Sequence, residues 1–334
     1  MDFLIEYGMF LLKTITFVVA IGAVIVMIVM ASVKPSSAQG ELQFDDLSDE
    51  YFAQQQALQQ QLLDKKAYKQ WQKQQDERAK EKATTDESRL FVLSFNGSVD
   101  AHEVEALREE ITAILSIANA KDEVLLKLES GGGMVHGYGL AASQLARLKA
   151  HHIKLTIAVD KVAASGGYMM ACLADHLIAA PFAIVGSVGV VAQVPNFHRL
   201  LKKNDIDFEQ FTAGEFKRTV TMFGENTEKG RQKFQRELED THVLFKDFVK
   251  TQRPILDVDE IASGEHWFGQ QALSLRLVDA LQTSDDYIQQ QFGRRPVYQL
   301  RYKQKQKLAE KLGFAAATVA QHLWRKAASQ RVYP

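Results

Sequence analysis

Apolar and polar positions change pattern several times along the chain, and each change marks an element. From Thr14 to Val33 no residue is charged, and Lys13 and Lys34 close the run. As a helix these 20 residues reach roughly 30 Å, the thickness of a hydrocarbon core. They predict one N-terminal transmembrane helix, with a lipid bilayer as partner through residues 14–33. Ser36-Ser37-Ala38 also fits a signal-peptide cleavage site, but the run is long for such a peptide and Asp2 and Glu6 precede it. With one lysine at each end, the positive-inside rule leaves the orientation open. Residues 35 to about 50 read as an acidic linker. Tyr51 to Lys82 contains ten glutamines, no glycine or proline, and only sparse apolar residues, which predicts a solvated helical spacer.

From Arg89 the pattern becomes that of a folded domain. Strand-like runs occur at Leu90 to Phe95, Val124 to Leu128, Ile153 to Val159, His176 to Ala180 and Ile206 to Phe211. Helical spacing occurs at Glu103 to Ala118, Leu140 to Leu148, Ala163 to Leu173 and Thr227 to about Lys250. The alternation predicts an α/β fold of parallel βαβ units. The chain accordingly divides into an anchor (1–34), a linker and spacer (35–88), an α/β domain (89–298) and a C-terminal tail (299–334).

Composition refines this picture in three places. The 334 residues carry a formal net charge of −1, with 24% charged and 46% hydrophobic, which excludes a disordered chain and gives no sign of a nucleic-acid partner. The tail from Gln299 holds eight basic residues and one acid, a local charge of +7. It reads either as a membrane-surface helix or as a solvated helix packed on the domain or a neighbouring subunit. The single cysteine, Cys172, excludes a disulfide framework and a cysteine-cluster zinc site.

Three glycine-rich turns follow predicted strands: Ser130-Gly131-Gly132-Gly133, Ala164-Ser165-Gly166-Gly167 and Val185-Gly186-Ser187-Val188-Gly189. Ligands of open α/β folds bind beyond the carboxyl ends of strands. A serine before paired glycines at a helix start is placed for nucleophilic attack, with neighbouring N–H groups to hold an oxyanion. Ser165 taken alone is equally an N-cap. A dinucleotide loop fits Gly131 to Gly139 poorly, the G-x-S-x-G elbow fails at Ala163, and an H-E-x-x-H zinc site fails at Ala106.

Together the turns are more specific. The run Val159-Asp160-Lys161-Val162-Ala163-Ala164-Ser165-Gly166-Gly167-Tyr168 resembles the nucleophile motif of the signal peptide peptidase A (protease IV) family of membrane-anchored serine peptidases. Thr212-Ala213-Gly214-Glu215-Phe216-Lys217, Gly186-Ser187-Val188-Gly189 and Gly264-Glu265-His266-Trp267-Phe268-Gly269-Gln270-Gln271-Ala272 match further shared segments. The resemblance implies a ClpP/crotonase-like fold of repeated ββα/βαβ units, a Ser–Lys dyad and a homo-oligomeric ring. Ser165 takes the nucleophile's place, Lys217 that of the general base, and Ser187 that of the hydroxyl steadying the lysine amine. Burial would pull the lysine pKa down from about 10.4 so that neutral Lys217 takes the Ser165 proton. The amides of Gly166 and of Gly132 or Gly133 would then hold the oxyanion.

Two positions depart from the family pattern. Gly131 stands where the family has proline, and Arg276 where it has the glycine of G-L-V-D. The expected activity is a serine endopeptidase, without cofactor or metal, that hydrolyses apolar peptides such as signal-peptide remnants or misfolded envelope proteins. The family places it in the bacterial inner membrane with its domain on the periplasmic side. A non-catalytic scaffold of the same fold and a crotonase-type acyl-CoA enzyme are the alternatives.

Overall fold

The computed structural model describes residues 7–14, 16, 17, 40–82 and 88–303. Of the expected membrane helix only Thr14, Thr16 and Phe17 fall among these, and residues 304–334 of the basic tail fall outside them. Among the described residues no helix is long and apolar enough to cross a membrane. Contacts divide the chain into one unit of residues 42–302 and a second of 1–41 with 303–334. In the second unit residues 7–14 are helical, and the Thr14 hydroxyl donates to the Phe10 carbonyl at 2.9 Å.

The larger unit is built on a seven-stranded sheet. Its strands are β1 (Glu41–Asp46), β2 (Leu90–Asn96), β3 (Glu123–Glu129), β4 (Lys154–Val159), β6 (His176–Ala179), β9 (Ala280–Leu281) and β10 (Val297–Lys303). The order is β1-β10-β2-β3-β4-β6-β9, and every pair from β10 to β9 is parallel. A second sheet joins β5 (Val162–Ala164), β7 (Ile184–Gly186) and β8 (His266–Phe268), the last antiparallel to β7. A parallel bridge between Ser130 and Ala163 links the end of β3 to β5.

Both faces of the main sheet are covered, which explains the near-continuous apolar runs of β2 and β3. Phe91, Leu93 and Phe95 enter the larger core with Leu107, Ile111 and Ile114 of α3 (Val104–Ile117) and Leu145 and Leu148 of α4 (Val135–Ala150). Leu90 and Val92 point the other way, toward Tyr287 of α8 (Ser284–Gln291). The largely parallel α/β arrangement predicted by the alternation is therefore present.

Four local expectations change. The spacer forms two helices, α1 (Leu47–Leu62) and α2 (Lys65–Lys82), broken where the Asp64 carboxylate accepts the Lys66 and Ala67 amides at 2.8 and 2.9 Å. The start of α1 is docked, since Tyr51 stacks on Phe292 at 4.3 Å between ring centroids. Part of the acidic linker is strand β1 beside β10, and β10 itself carries the sheet to Lys303, past the expected end of the domain at residue 298. Residues 206–211 are not a strand. Among the described residues they pair with no strand, and Ile206, Phe208 and Phe211 are exposed. The segment read as a helix from Ala163 is strand β5 followed by the short helix α5 (Gly166–Ala171), and Ser165 is the residue between them.

Candidate active site

The carboxyl ends of β3, β5 and β7 converge, and each carries one of the glycine turns. Ser130 donates its amide to Val162 and accepts the Ala164 amide on its carbonyl, at 2.8 and 3.0 Å. These bonds fix the strand entering Ser165. Ser165 has φ 53° and ψ −119°, a backbone position that costs an L-residue of order 1–3 kcal/mol. Neighbouring bonds hold it there: its amide donates to the Gly186 carbonyl at 2.8 Å, and its carbonyl accepts the Met169 amide at 3.0 Å. Ser165 occupies the N-cap position of α5, yet its hydroxyl makes no capping bond. The capping explanation of this serine therefore fails. Its side chain is half-buried at the head of an otherwise buried helix.

Ser187 is brought beside this turn through Gly186. Gly186 has φ 102°, and its carbonyl is the one that holds the Ser165 amide. Ser187 is itself left-handed at φ 53°, with its amide donating to Glu265 at 2.6 Å. A Cβ on Gly186 would meet the Trp267 ring at 2.7 Å, so Trp267 is packing against the turn. His136 and His266 are exposed.

The first glycine turn lies directly over Ser165. A Cβ on Gly132 would stand 2.7 Å from the Ala164 carbonyl oxygen, the Gly166 nitrogen and the Ser165 Cβ. Gly132 has φ 86°, so glycine is required there for space and for conformation. The three expected oxyanion donors are not equivalent. The Gly132 amide donates to the Ser130 hydroxyl at 3.0 Å. Among the described residues the Gly133 and Gly166 amides have no such acceptor.

Lys217 is placed differently from the expectation. It lies on the irregular segment between α6 (His198–Lys203) and α7 (Glu228–Gln252), and its amide donates to Gly214 at 3.2 Å. Its side chain is exposed, not buried in an apolar setting. Among the described residues no hydrogen bond or ion pair joins its amine to Ser165 or Ser187. The single chain thus unites Ser165, Ser187 and the glycine amides, but does not bring Lys217 to them. The apolar side chains that were to bury it, Phe211 and Phe216 among them, are themselves 89% and 43% exposed.

The thiol is no rival nucleophile. Cys172 is buried in α5's C-terminal turn, and burial pushes its pKa up to about 12.

Sequence comparison gives this geometry its family. The model for the N-terminal part of peptidase family S49 matches residues 2–145, and the S49 peptidase model matches residues 147–293. The chain belongs to peptidase family S49. It is 52% identical to a probable protease SohB of Haemophilus influenzae over 326 residues, covering 93% of this chain and 92% of that one. It is 42% identical to a putative protease SohB of Buchnera aphidicola (subspecies Baizongia pistaciae), covering all of both chains. The S49 family and these relatives support a peptidase, and the largely parallel sheet fits the ClpP-like fold expected of it.

Sequence reading missed Ser130 and Tyr138. Tyr138 is fully buried in α4, and its hydroxyl donates to the Ser98 carbonyl at 2.8 Å. Burial raises its pKa, so the phenol stays protonated. The expected helix began at Leu140, which left Tyr138 in a loop. The helix begins at Val135 and turns Tyr138 under the glycine turn.

Proposed function

We propose that the protein is a membrane-anchored serine endopeptidase with Ser165 as nucleophile and Lys217 as general base. One observation carries the reading: Ser165 is held in a left-handed position between strand and helix, with its hydroxyl making no capping bond and the Gly132 turn against it. In the reaction Ser165 Oγ attacks the peptide carbonyl carbon, and its proton passes to the neutral Lys217 amine. The tetrahedral oxyanion accepts backbone N–H bonds at the glycine turns. Collapse breaks the C–N bond, and the leaving amine takes the proton from Lys217. Water, deprotonated by the same amine, then hydrolyses the Ser165 ester.

The dyad requires Lys217 to be desolvated, because burial is what favours the neutral amine that a general base needs. The segment that carries Lys217 also leaves Ile206, Phe208, Phe211 and Phe216 exposed, apolar side chains suited to cover by a second copy. A homo-oligomeric ring, with this segment in the subunit contact, supplies the burial that the single chain lacks. Apolar peptides, such as signal-peptide remnants or misfolded envelope proteins, are the proposed substrates. The anchor at residues 14–33 holds the enzyme to the inner membrane, with its domain on the periplasmic side.

Full-length protein in detergent should hydrolyse an unstructured protein such as casein, and Ser165→Ala or Lys217→Ala should abolish hydrolysis. Full activity in both variants would refute the dyad. Sedimentation at monomer mass with activity retained would refute the role of the ring. The exposed, unlinked Lys217 is what favours the second reading, a non-catalytic scaffold. That reading predicts no hydrolysis by the wild-type assembly.

A further inference from the structure

The oxyanion turn sits on a chain of three hydrogen bonds whose direction is forced. The Ser98 carbonyl can only accept, so it takes the Tyr138 hydroxyl proton, at 2.8 Å. With its one proton spent, the Tyr138 oxygen can only accept from Ser130 Oγ, its very close neighbour. Ser130 Oγ then has lone pairs left, and one receives the Gly132 amide at 3.0 Å. The order is Gly132 N–H to Ser130 O–H to Tyr138 O–H to Ser98 C=O. Ser130 and Tyr138 are both buried, so no bulk water competes.

The surroundings are shaped for this chain. A Cβ on Gly97 would meet the Tyr138 hydroxyl at 2.5 Å and Ser130 Oγ at 2.8 Å, so glycine there leaves room for the pair. A Cβ on Gly167 would stand 2.6 Å from the Ser130 carbonyl oxygen. The far end of the chain is anchored too. The Ser98 amide donates to the Glu103 carboxylate at 3.1 Å, and the Met134 amide donates to the Val99 carbonyl at 2.8 Å.

We propose that Tyr138 and Ser130 are positioning residues that aim the oxyanion turn at Ser165, and that Gly132 belongs to the scaffold while the Gly133 and Gly166 amides face the oxyanion. This rests on the peptidase reading. The Gly132 amide is turned inward to Ser130, whereas the next amide, that of Gly133, has no acceptor among the described residues. The Gly132 amide is held by Ser130 and the Met134 amide by Val99, so the Gly133 plane lies between two anchored planes. Glycines at 131, 132 and 133 give the turn no stiffness of its own, so the buried hydroxyls supply it.

The test compares wild type, Tyr138→Phe, Ser130→Ala and the double variant, all full length in detergent. Each single variant should lower kcat roughly 10- to 100-fold, below the loss of a whole oxyanion donor, with KM within about twofold. Affinity for a peptide aldehyde, which forms a tetrahedral adduct on serine, should fall by the same factor as kcat/KM. Affinity for the product peptide should hold. The double variant should be no slower than Ser130→Ala, because both act through one chain. Wild-type kcat in a folded variant overturns the proposal. Equal losses of aldehyde and product affinity also overturn it, because they mark a general structural defect. If Tyr138→Phe does not fold, Ser130→Ala decides.

A second measurement does not depend on activity. Amide exchange of a peptide spanning residues 130–134, followed by mass spectrometry, should show that Ser130→Ala and Tyr138→Phe each release one amide, that of Gly132, which is protected in wild type, while the Met134 amide on the Val99 carbonyl stays protected. Unchanged exchange overturns the proposal. A wild type that does not cleave, with the same exchange pattern, refutes the peptidase reading and leaves the hydrogen-bond chain standing.

Discussion

Gly131 and Gly132 are adjacent, yet the structure gives alanine opposite consequences at the two positions. A Cβ on Gly132 stands 2.7 Å from the Ala164 oxygen, the Gly166 nitrogen and the Ser165 Cβ. Two of these are backbone atoms, so no flexible side chain can give way. The left-handed φ of 86° adds about 1–2 kcal/mol for an L-residue. Restoring ordinary carbon contact requires a shift of about 1 Å between the turn and Ser165, a displacement that costs about 100-fold in rate with Ser165 as the proposed nucleophile. A Cβ on Gly131 meets nothing within 4 Å, and its φ is not left-handed. Alanine there removes unfolded-state freedom and should stabilise by about 0.4–1 kcal/mol. The assay pairs steady-state hydrolysis of a fluorogenic peptide with thermal unfolding. Gly132→Ala should lose about 100-fold in kcat, and Gly131→Ala should keep wild-type kcat with a raised Tm. Wild-type kcat in Gly132→Ala, or equal damage from both, would refute the placement of the turn over Ser165.

Other groups give independent tests. Glu110 is 5% exposed, and burial lifts its pKa from 4.5 to about 7 against a weaker opposing bond from the Tyr302 amide. The folded state thus holds a proton that the unfolded state releases, and stability should fall by up to about 3 kcal/mol as pH rises through this window. Urea unfolding at pH 5 and pH 8 should show the fall in wild type and not in Glu110→Gln; an equal fall in both would remove Glu110 as its source. Arg253, also 5% exposed, donates to Asp279 at 2.6 Å and to the Arg276 carbonyl at 2.9 Å. Burial acts to raise the Asp279 pKa, but Arg253 and the Leu177 amide together outweigh it and hold the carboxyl below its ordinary range. Arg253→Ala should lose about 3 kcal/mol at neutral pH. The loss should shrink as pH falls through the depressed Asp279 pKa, where wild type loses the pair as well; a pH-independent loss would show that packing, not the ion pair, is at stake. Ser187→Ala should slow hydrolysis about tenfold, the worth of one hydrogen bond, with the unfolding midpoint unchanged. Undiminished activity would remove Ser187 from the dyad.

The central strands were legible because both sheet faces are buried, so their apolar runs are unbroken. The turn at Ser165 was legible because a tight strand-to-helix turn needs small residues at set positions, and Gly166 and Gly167 show that need in the sequence. Strand β1 was not legible. Its partner β10 lies about 250 residues away in the chain, and its own residues read as acidic linker. The strand expected at residues 206–211 failed for the converse reason: alternation reports two faces, not the presence of a neighbour. Tyr138 was missed by a five-residue error in the start of α4, which is enough to move a side chain from loop to core. The burial of Lys217 was argued from neighbouring aromatics, but local apolar residues bury a lysine only if something covers them.

The most direct test of the account is covalent. A biotinylated fluorophosphonate applied to the full-length assembly in detergent, followed by digestion and peptide mass mapping, asks which hydroxyl is nucleophilic. A Ser165–Lys217 dyad predicts a single modified serine, Ser165, with labelling abolished in Ser165→Ala and strongly slowed in Lys217→Ala. Labelling of a different residue, or an assembly that hydrolyses peptide while Ser165 stays unmodified, would contradict it.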